Sequence, residues 1–294
     1  MSEAFRRFKH KIVSMKKFLA VFDGYTLSKS TLAYAQELAA IADAHLVGVF
    51  LDDFVYHTYN MAEVFKKYEK PDAVISKLNA AEKKKRDDAV SQFEKSCEKE
   101  NISYSVHRNQ SMAILELEHE SMFADLIIIS EHETFSRFKQ KPPTNFMKDL
   151  LADVQCPVLV VPATYQAIEK IVLLYDGAPS SVHAIKTFSY LLGHLRSLPV
   201  HVYSVKNNAK FAPGFQDSPL MKEFIKRHFP NAKHTTSKGD AERLIVNYLK
   251  NHKENELVVL GAYRRSEFSR WFKTSMADIL MRELDTPLFI AHNK

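Results

Sequence analysis

The stretch Phe18-Leu-Ala-Val-Phe-Asp23-Gly24 is an apolar run that ends in Asp-Gly, and the same pattern returns at Ile171-Val-Leu-Leu-Tyr-Asp176-Gly177. Each copy is followed, in the same order, by a late apolar run and then by a run introduced by proline. These later runs occupy residues 124–130 and 157–161 in the first copy, and 256–261 and 287–291 in the second. A period longer than about a hundred residues exceeds that of solenoid repeats. The chain therefore contains two tandem copies of one domain.

The length and composition fit this organisation. A chain of 294 residues provides two domains of ordinary size, each able to bury a core of its own. We predict boundaries at 12–163 and 168–294, with an insertion at about 52–85 in the first domain. Hydrophobic residues make up 46% and charged residues 26%, which is typical of a soluble globular protein.

The charge and the cysteines bear on partners and compartment. The formal charge of +6 is spread along the chain, which predicts no nucleic-acid partner. Two isolated cysteines predict a reducing, cytoplasmic setting. The thirteen histidines lack metal-ligand spacing, so no metal site is predicted. The apolar run at 18–22 stops at Asp23 without a cleavage site, and no run is long enough to span a membrane, so no membrane partner is predicted.

The apolar runs are continuous Val/Ile/Leu blocks, which favours a parallel sheet covered on both faces. Helical patterns lie between them, with Ser28 or Ser30 as the predicted cap of the first helix and Ser180 or Ser181 at the equivalent place. This alternation predicts two doubly wound α/β domains. The predicted strands lie near 16–22, 45–50, 102–106, 125–130 and 157–161, and near 170–175, 199–205, 232–236, 256–260 and 287–291.

The insertion is rich in aromatic residues, among them Phe54, Tyr56, Tyr59 and Tyr68, and ends in a Lys-rich helix. Two interpretations stay open at this point. The aromatic side chains line a ligand pocket, or they pack the inserted helix onto its own domain. The run Lys83-Lys84-Lys85-Arg86 is typical of a solvated helix face.

Doubly wound sheets bind ligands beyond the carboxyl ends of their strands, which directs attention to Asp23 and Asp176. The features that carry a resemblance are the order of elements, both Asp-Gly pairs, Gly239-Asp240-Ala241-Glu242 before a helix, and Leu257-Val-Val-Leu-Gly261. In these features, nearly the whole chain resembles the universal stress protein family. The resemblance implies an adenine-nucleotide alpha-hydrolase-like α/β sandwich with five parallel strands per copy. It also implies an intramolecular pseudo-dimer in which residues 158–161 and 288–290 meet, with a further homodimer of chains as an open alternative.

Nucleotide-binding members of the family carry Gly-x2-Gly-x9-Gly-Ser/Thr after the fourth strand, and ATP, with Mg²⁺, is the usual ligand. In the second copy Gly261 and Ser275 match this pattern at intact spacing, whereas Arg264 and Thr274 replace glycines. The resemblance therefore implies a nucleotide site in the second domain. Its residues would be Asp176, Gly177, Gly261, Arg264, Thr274 and Ser275.

The first copy departs further from the pattern. Ser130 and Glu133 replace the first two glycines, and the loop is one residue longer when Thr144-Asn145 is aligned with Thr274-Ser275. Glu133 would place a carboxylate near phosphates, which is unfavourable. The equivalent site residues are Asp23, Gly24, Ser130, Thr144 and Asn145, and we predict that they do not bind ATP in the family manner.

The sequence offers no catalytic residues, since it lacks a Gly-x-Ser-x-Gly elbow, a P-loop and a recognisable acid–base pair. Any ATP hydrolysis would be slow and incidental. Two hypotheses follow: a non-catalytic stress-response regulator that binds a nucleotide in its second domain, or a nucleotide-free scaffold for an unknown protein partner. Under the second hypothesis, both Asp-Gly pairs are ordinary turns.

Overall fold

The computed structural model describes residues 15–51, 59–109, 112–136, 138–206, 219–251, 255–261 and 275–291. In the first half of the chain, five strands alternate with helices. These elements are β1 (Lys16–Phe22), α1 (Lys29–Ala42), β2 (Ala44–Leu51), α2 (Met61–Lys67), α3 (Pro71–Lys99), β3 (Tyr104–Asn109), α4 (Ala113–Ser121), β4 (Leu126–Ser130), α5 (Asn145–Asp153) and β5 (Val158–Val161). The insertion contains α2 and the first part of α3.

Among its described residues, the second half repeats this order with a single α-helix between its second and third strands, where the first half has two. Its elements are β6 (Lys170–Leu174), α6 (Pro179–Leu191), a 3-10 helix (Gly193–Ser197), β7 (Val200–Lys206), α7 (Pro219–His228), β8 (Lys233–Lys238), α8 (Ala241–Lys250), β9 (Glu256–Gly261), α9 (Met276–Glu283) and β10 (Leu288–Ala291). The ten predicted strands are confirmed to within three residues at each end.

All ten strands belong to one sheet in the order β3-β2-β1-β4-β5-β10-β9-β6-β7-β8. Strands are parallel within each half, and the two halves join where β5 pairs antiparallel with β10, with Leu288 opposite Val160. The pseudo-dimer implied by the family resemblance is therefore confirmed. Each final strand also stays beside its own half, since β5 pairs with β4 and β10 with β9.

The core lies on both faces of this sheet, because helices cover each side. Alternate residues of β1 show the division: Phe18 belongs to the apolar cluster on one face, and Leu19 to the cluster on the other. Both are fully buried. Burial on both faces explains why the strands read as continuous apolar runs rather than as alternating ones.

The two predicted helix caps have different outcomes. Ser28 caps α1 as expected, since its hydroxyl accepts a hydrogen bond from the Thr31 N–H at 3.2 Å. The prediction of Ser180 or Ser181 was wrong, because α6 begins earlier, at Pro179, with Ala178 in the cap position. Proline suits the first helical position because its missing N–H would have no partner there.

Two described aromatic residues of the insertion border a cleft, whereas the aromatic residue of α3 that packs on the sheet lies beyond the predicted end of the insertion at about 85. The C-terminal part of α3 packs on the sheet, where the buried Phe93 ring meets the rings of Phe22 and Phe50. In contrast, α2 and the start of α3 border an open cleft of about 540 Å³, lined in part by Tyr59, Tyr68 and the exposed Phe138. Phe54 and Tyr56 lie outside the described residues. None of the described helices has the length and apolar character of a membrane span.

Candidate functional site

Each half has a crevice where the strand order reverses, between β1 and β4 in the first half and between β6 and β9 in the second. This is where doubly wound sheets bind ligands. The described site residues predicted from sequence lie at these two places, after the first strand, at the end of the fourth strand, or at the start of the following helix. They are Asp23, Gly24, Ser130, Thr144 and Asn145 in the first half, and Asp176, Gly177, Gly261 and Ser275 in the second.

The two Asp-Gly pairs form tight turns. The Asp23 carboxylate accepts hydrogen bonds from the backbone N–H groups of Tyr25 and Thr26 at 2.9 and 2.8 Å. Asp176 accepts one from the Ala178 N–H at 2.9 Å. Gly24 and Gly177 have φ angles of 78° and 87°, in the left-handed region that favours glycine. Each aspartate therefore has a structural role in closing its turn, whether or not it also contacts a ligand.

An arginine from the insertion occupies the first crevice. Arg86 of α3 donates a hydrogen bond to the Tyr25 hydroxyl, and its guanidinium carbon lies 4.3 Å from the centre of that buried ring. Lys83, Lys84 and Lys85 are exposed as predicted, but Arg86 is half-buried, so the prediction of a solvated face fails for this residue. Sequence alone missed this contact because it joins residues 61 positions apart.

Two carboxyl groups lie together in the same crevice. Burial raises the pKa of Asp23, although its turn hydrogen bonds and the Arg86 charge lower it in part. Burial, and then the charge of Asp23, raise the pKa of Glu133 well above its usual range. The raised pKa values mean that burial disfavours the charged form of both carboxyl groups, and the unsuitability of this crevice for ATP stays a prediction.

In the first half, the polar groups at the start of α5 form hydrogen bonds with residues of the same loop and helix. The buried Thr144 hydroxyl accepts from the Met147 N–H at 3.1 Å and donates to the Glu133 carbonyl at 2.6 Å. The Asn145 N–H donates to the Gln140 side-chain oxygen at 2.9 Å. Groups that would be offered to a phosphate are thus bonded within the loop, and Gln140 is a residue that the sequence analysis did not single out.

The structure also corrects the alignment of the two helix starts. Thr144 caps α5, and Ser275 caps α9, so Thr144 rather than Asn145 is the counterpart of Ser275. Counted to the cap, the two loops have equal length, because Thr144 follows Ser130 by 14 residues and Ser275 follows Gly261 by 14. The extra residue predicted for the first loop belongs to α5, which has 9 residues against 8 in α9.

Gly261 is required by packing in the second half. A Cβ atom at this position would lie 2.4 Å from the Ser180 carbonyl carbon and 2.7 Å from the Ser181 nitrogen. These are backbone atoms of the first turn of α6, which cannot move aside without shifting the helix. The retained glycine therefore has a structural reason that is independent of any phosphate.

The second helix start holds Ser275, whose hydroxyl oxygen accepts from the Asp278 N–H at 3.1 Å. The hydroxyl also carries a donor, and the first N–H groups of a helix point toward its N-terminus, so this end can meet an anion. Asp278 in the first turn adds a negative charge close by. Arg264 and Thr274 lie outside the described residues.

A buried acid that sequence analysis missed lies at the junction of the two halves. Glu131 is 3% exposed, and its backbone N–H donates to the Val161 carbonyl of β5 at 3.0 Å. Burial, and then the charge of Asp285 just before β10, raise the pKa of Glu131 to about 8. The His132 side chain lies beside it, with Nε2 3.4 Å from the Glu131 carboxyl oxygen. Within the described ranges, no cluster of three His, Cys, Asp or Glu side chains suits a metal ion.

Comparison with known proteins shows which family the chain resembles. No protein-family model matches the chain. A universal stress protein of Synechocystis is 23% identical over 166 residues, a match that spans 56% of this chain and 56% of that relative. Over this part, the chain is similar in sequence to a universal stress protein. The match therefore covers only about half the length of this curated relative, and it does not transfer that protein's properties to the present chain.

Solved structures show the same fold over nearly the whole chain. A universal stress protein from Archaeoglobus fulgidus superposes with a TM-score of 0.66 at 13% identity, covering 94% of this chain and 98% of that one. A Pseudomonas aeruginosa protein of unknown function has a TM-score of 0.60 at 15% identity, covering 94% and 92%. The fold of both halves together, and not of one half alone, therefore recurs in other solved chains.

Proposed function

We propose that this chain is a non-catalytic stress-response regulator that binds one adenine nucleotide, in the crevice of its second half. The observation that carries the proposal is the difference between the two helix starts. In the first half, Gln140 and Thr144 hydrogen-bond the helix start, and Arg86 packs on Tyr25 close enough for its charge to act on Asp23. In the second half, Gly261 and Ser275 keep the family spacing at the point where the strand order reverses.

In this proposal the nucleotide lies between Asp176 and the start of α9. Asp176 contacts the adenosine moiety, while the Ser275 hydroxyl and the first N–H groups of α9 contact the phosphates. Mg²⁺ accompanies ATP as its counter-ion and offsets the charge of Asp278. Occupancy changes which surface the protein presents, and any hydrolysis is incidental because no acid–base pair accompanies the site.

A nucleotide-free scaffold is the second candidate, and a specific observation favours it. Gly261 is needed for its contact with Ser180, and Asp176 closes its own turn. Both residues would therefore be retained without a ligand. Under this alternative, the second crevice is a structural remnant, and the protein acts through contacts with a protein partner.

Calorimetric titration of the full chain with Mg-ATP separates the two candidates. We expect one site per chain. Ser275→Asp should abolish binding, because aspartate also caps a helix well but puts a negative charge against the phosphates. Asn145→Ala, in the closed first half, is the matched control and should leave binding unchanged.

The titration can contradict either the placement of the site or nucleotide binding itself. Binding that survives Ser275→Asp, or that is lost in Asn145→Ala, would contradict the placement of the site in the second half. No heat and no shift of the melting temperature at millimolar Mg-ATP would overturn the nucleotide proposal and favour the scaffold.

A further inference from the structure

Helix α4 presents an apolar stripe to solvent. Met112, Leu115, Met122 and Phe123 are between 55% and 66% exposed, and His119 lies among them on the same face. We call these five residues the α4 stripe. Their spacing of three and four residues puts them on one side of a helix, opposite the buried Leu117. Contiguous exposed apolar surface of this kind marks an interaction site in many proteins.

The second half shows that the fold does not require this stripe. Helix α8 is the counterpart of α4, and Asp240 occupies the cap position that Met112 occupies in α4. Counting from these caps, every position of the stripe is polar and exposed in α8. The counterparts are Asp240, Arg243, Asn247, Lys250 and Asn251. The apolar residues on α4 are therefore a property of the first half rather than of the architecture.

The N-terminal segment of the chain joins the sheet beside one end of the stripe. The Lys17 N–H donates to the Asp125 carboxylate at 2.8 Å, and the Asp125 N–H donates to the Lys17 carbonyl at 2.9 Å. Phe123, at the C-terminal end of the stripe, lies two residues before Asp125. Met15 lies two residues before Lys17. Residues 1–14 thus connect to the described structure close to the stripe.

The sequence of residues 1–14 complements the stripe. It reads Met-Ser-Glu-Ala-Phe5-Arg-Arg-Phe8-Lys-His-Lys-Ile12-Val-Ser, with Phe5, Phe8 and Ile12 at the same spacing of three and four residues. Arginine and lysine residues stand between these apolar positions. On the 3.6-residue period of α4, Glu116 and Glu118 fall on either side of the stripe.

The length of residues 1–14 is also sufficient to cover the α4 stripe. From Met112 to Phe123 the stripe spans about 17 Å at the helical rise of about 1.5 Å per residue. Fourteen residues reach about 21 Å in a helix and about 46 Å when extended. A segment attached beside Phe123 therefore reaches the far end of the stripe in either conformation.

We propose that the α4 stripe is the docking surface for residues 1–14 of the same chain. Phe5, Phe8 and Ile12 cover the apolar side chains, and the basic residues lie beside Glu116 and Glu118. The inference is independent of nucleotide binding, since α4 contributes none of the residues assigned to either crevice.

Hydrogen-exchange mass spectrometry of the full chain tests the docking surface. We expect the amides of residues 1–14 to exchange about tenfold faster in the triple variant Leu115→Arg, Met122→Lys, Phe123→Asn, which gives α4 the residues found in α8. Leu220→Arg is the matched control, because Leu220 is 76% exposed on another helix, α7, and should leave this exchange unchanged. Circular dichroism confirms that each variant is folded.

The reciprocal variant tests the occupant. Phe5→Glu with Phe8→Glu should expose the stripe and raise the fluorescence of a bound apolar dye severalfold, and the triple variant of α4 should abolish that increase. Residues 1–14 exchanging at the rate of a free peptide in the unmodified chain would overturn the proposal. So would protection that appears only as the concentration rises and a dimer forms, because the segment would then dock on a second copy.

Discussion

The two crevices of this protein share one backbone plan but differ in chemistry. Both have an Asp-Gly turn after the first strand and a hydroxyl cap on the helix that follows the fourth strand. In the first half, however, Gln140 binds the Asn145 N–H and Arg86 packs on Tyr25. The comparison teaches that the same turn can recur for the sake of the fold alone. A ligand needs, in addition, N–H and hydroxyl groups at the helix start that do not already hydrogen-bond within the loop.

The largest expected difference between the halves concerns a buried ion pair at the amino ends of the strands. Lys170 Nζ lies 2.6 Å from Glu256, with side chains 11% and 4% exposed, whereas its counterpart Lys17 lies 3.2 Å from Glu120 and is 29% exposed. Lys170→Met should lower the free energy of unfolding by about 3–5 kcal/mol, because it leaves the Glu256 charge buried without its partner.

Lys17→Met is the control for this pair and should cost about 1 kcal/mol, since water screens the more exposed lysine. Urea unfolding followed by circular dichroism measures both values. Equal losses in the two variants would show that burial does not distinguish the two ion pairs.

Gly261→Ala should be the next most damaging change. Its new methyl group would meet the Ser180 carbonyl carbon at 2.4 Å, so α6 must shift, at a cost of about 3 kcal/mol. The equivalent Ser130→Ala in the first half should cost less than about 1 kcal/mol, because a Cβ already fits there. Thermal unfolding compares the two, and a tolerated Gly261→Ala would contradict the packing explanation for this glycine.

The junction of the halves should make stability depend on pH. Below the usual glutamate pKa of about 4.3, Glu131 is protonated in both the folded and unfolded states and carries no penalty. As the pH rises toward its folded pKa of about 8, only the unfolded chain ionises, so the carboxyl increasingly destabilises the fold, and above that pH the penalty is constant.

Glu131→Gln should therefore raise stability by roughly 2 kcal/mol at pH 8.5 and change little at pH 4.5. Melting temperatures measured across this range check the prediction. Asp153→Asn, at an exposed position in the same half, serves as a control for the loss of one negative charge. A gain that is the same at both pH values would show that ionisation of Glu131 is not its cause.

The smallest expected difference concerns the two helix caps. Thr144→Ala should cost about 2 kcal/mol, because the buried hydroxyl both accepts from Met147 and donates to the Glu133 carbonyl. Ser275→Ala removes one described bond at a partly exposed cap and should cost about 1 kcal/mol. Chemical denaturation resolves a difference of this size, and the opposite order would mean that the first cap is not the more tightly built.

The sequence by itself determined the fold and its duplication. Continuous apolar runs such as residues 126–130 favour strands buried on both faces, and the repeated Asp-Gly pairs mark the first strand of each copy. These features are local, so they can be read from neighbouring residues. The resemblance to the family then predicted where the two crevices lie, and Glu133 led to the prediction that the first does not bind ATP in the family manner.

Tertiary structure decided everything that depends on contacts between distant residues. The Arg86–Tyr25 contact, the approach of Ser180 to Gly261 and the acidic pair across the junction leave no pattern in the sequence. The helix starts also show why alignment alone misplaced Asn145, since a cap is defined by which N–H groups its side chain can reach. Apolar periodicity reports burial, whereas these contacts depend on the distances that folding sets between side chains.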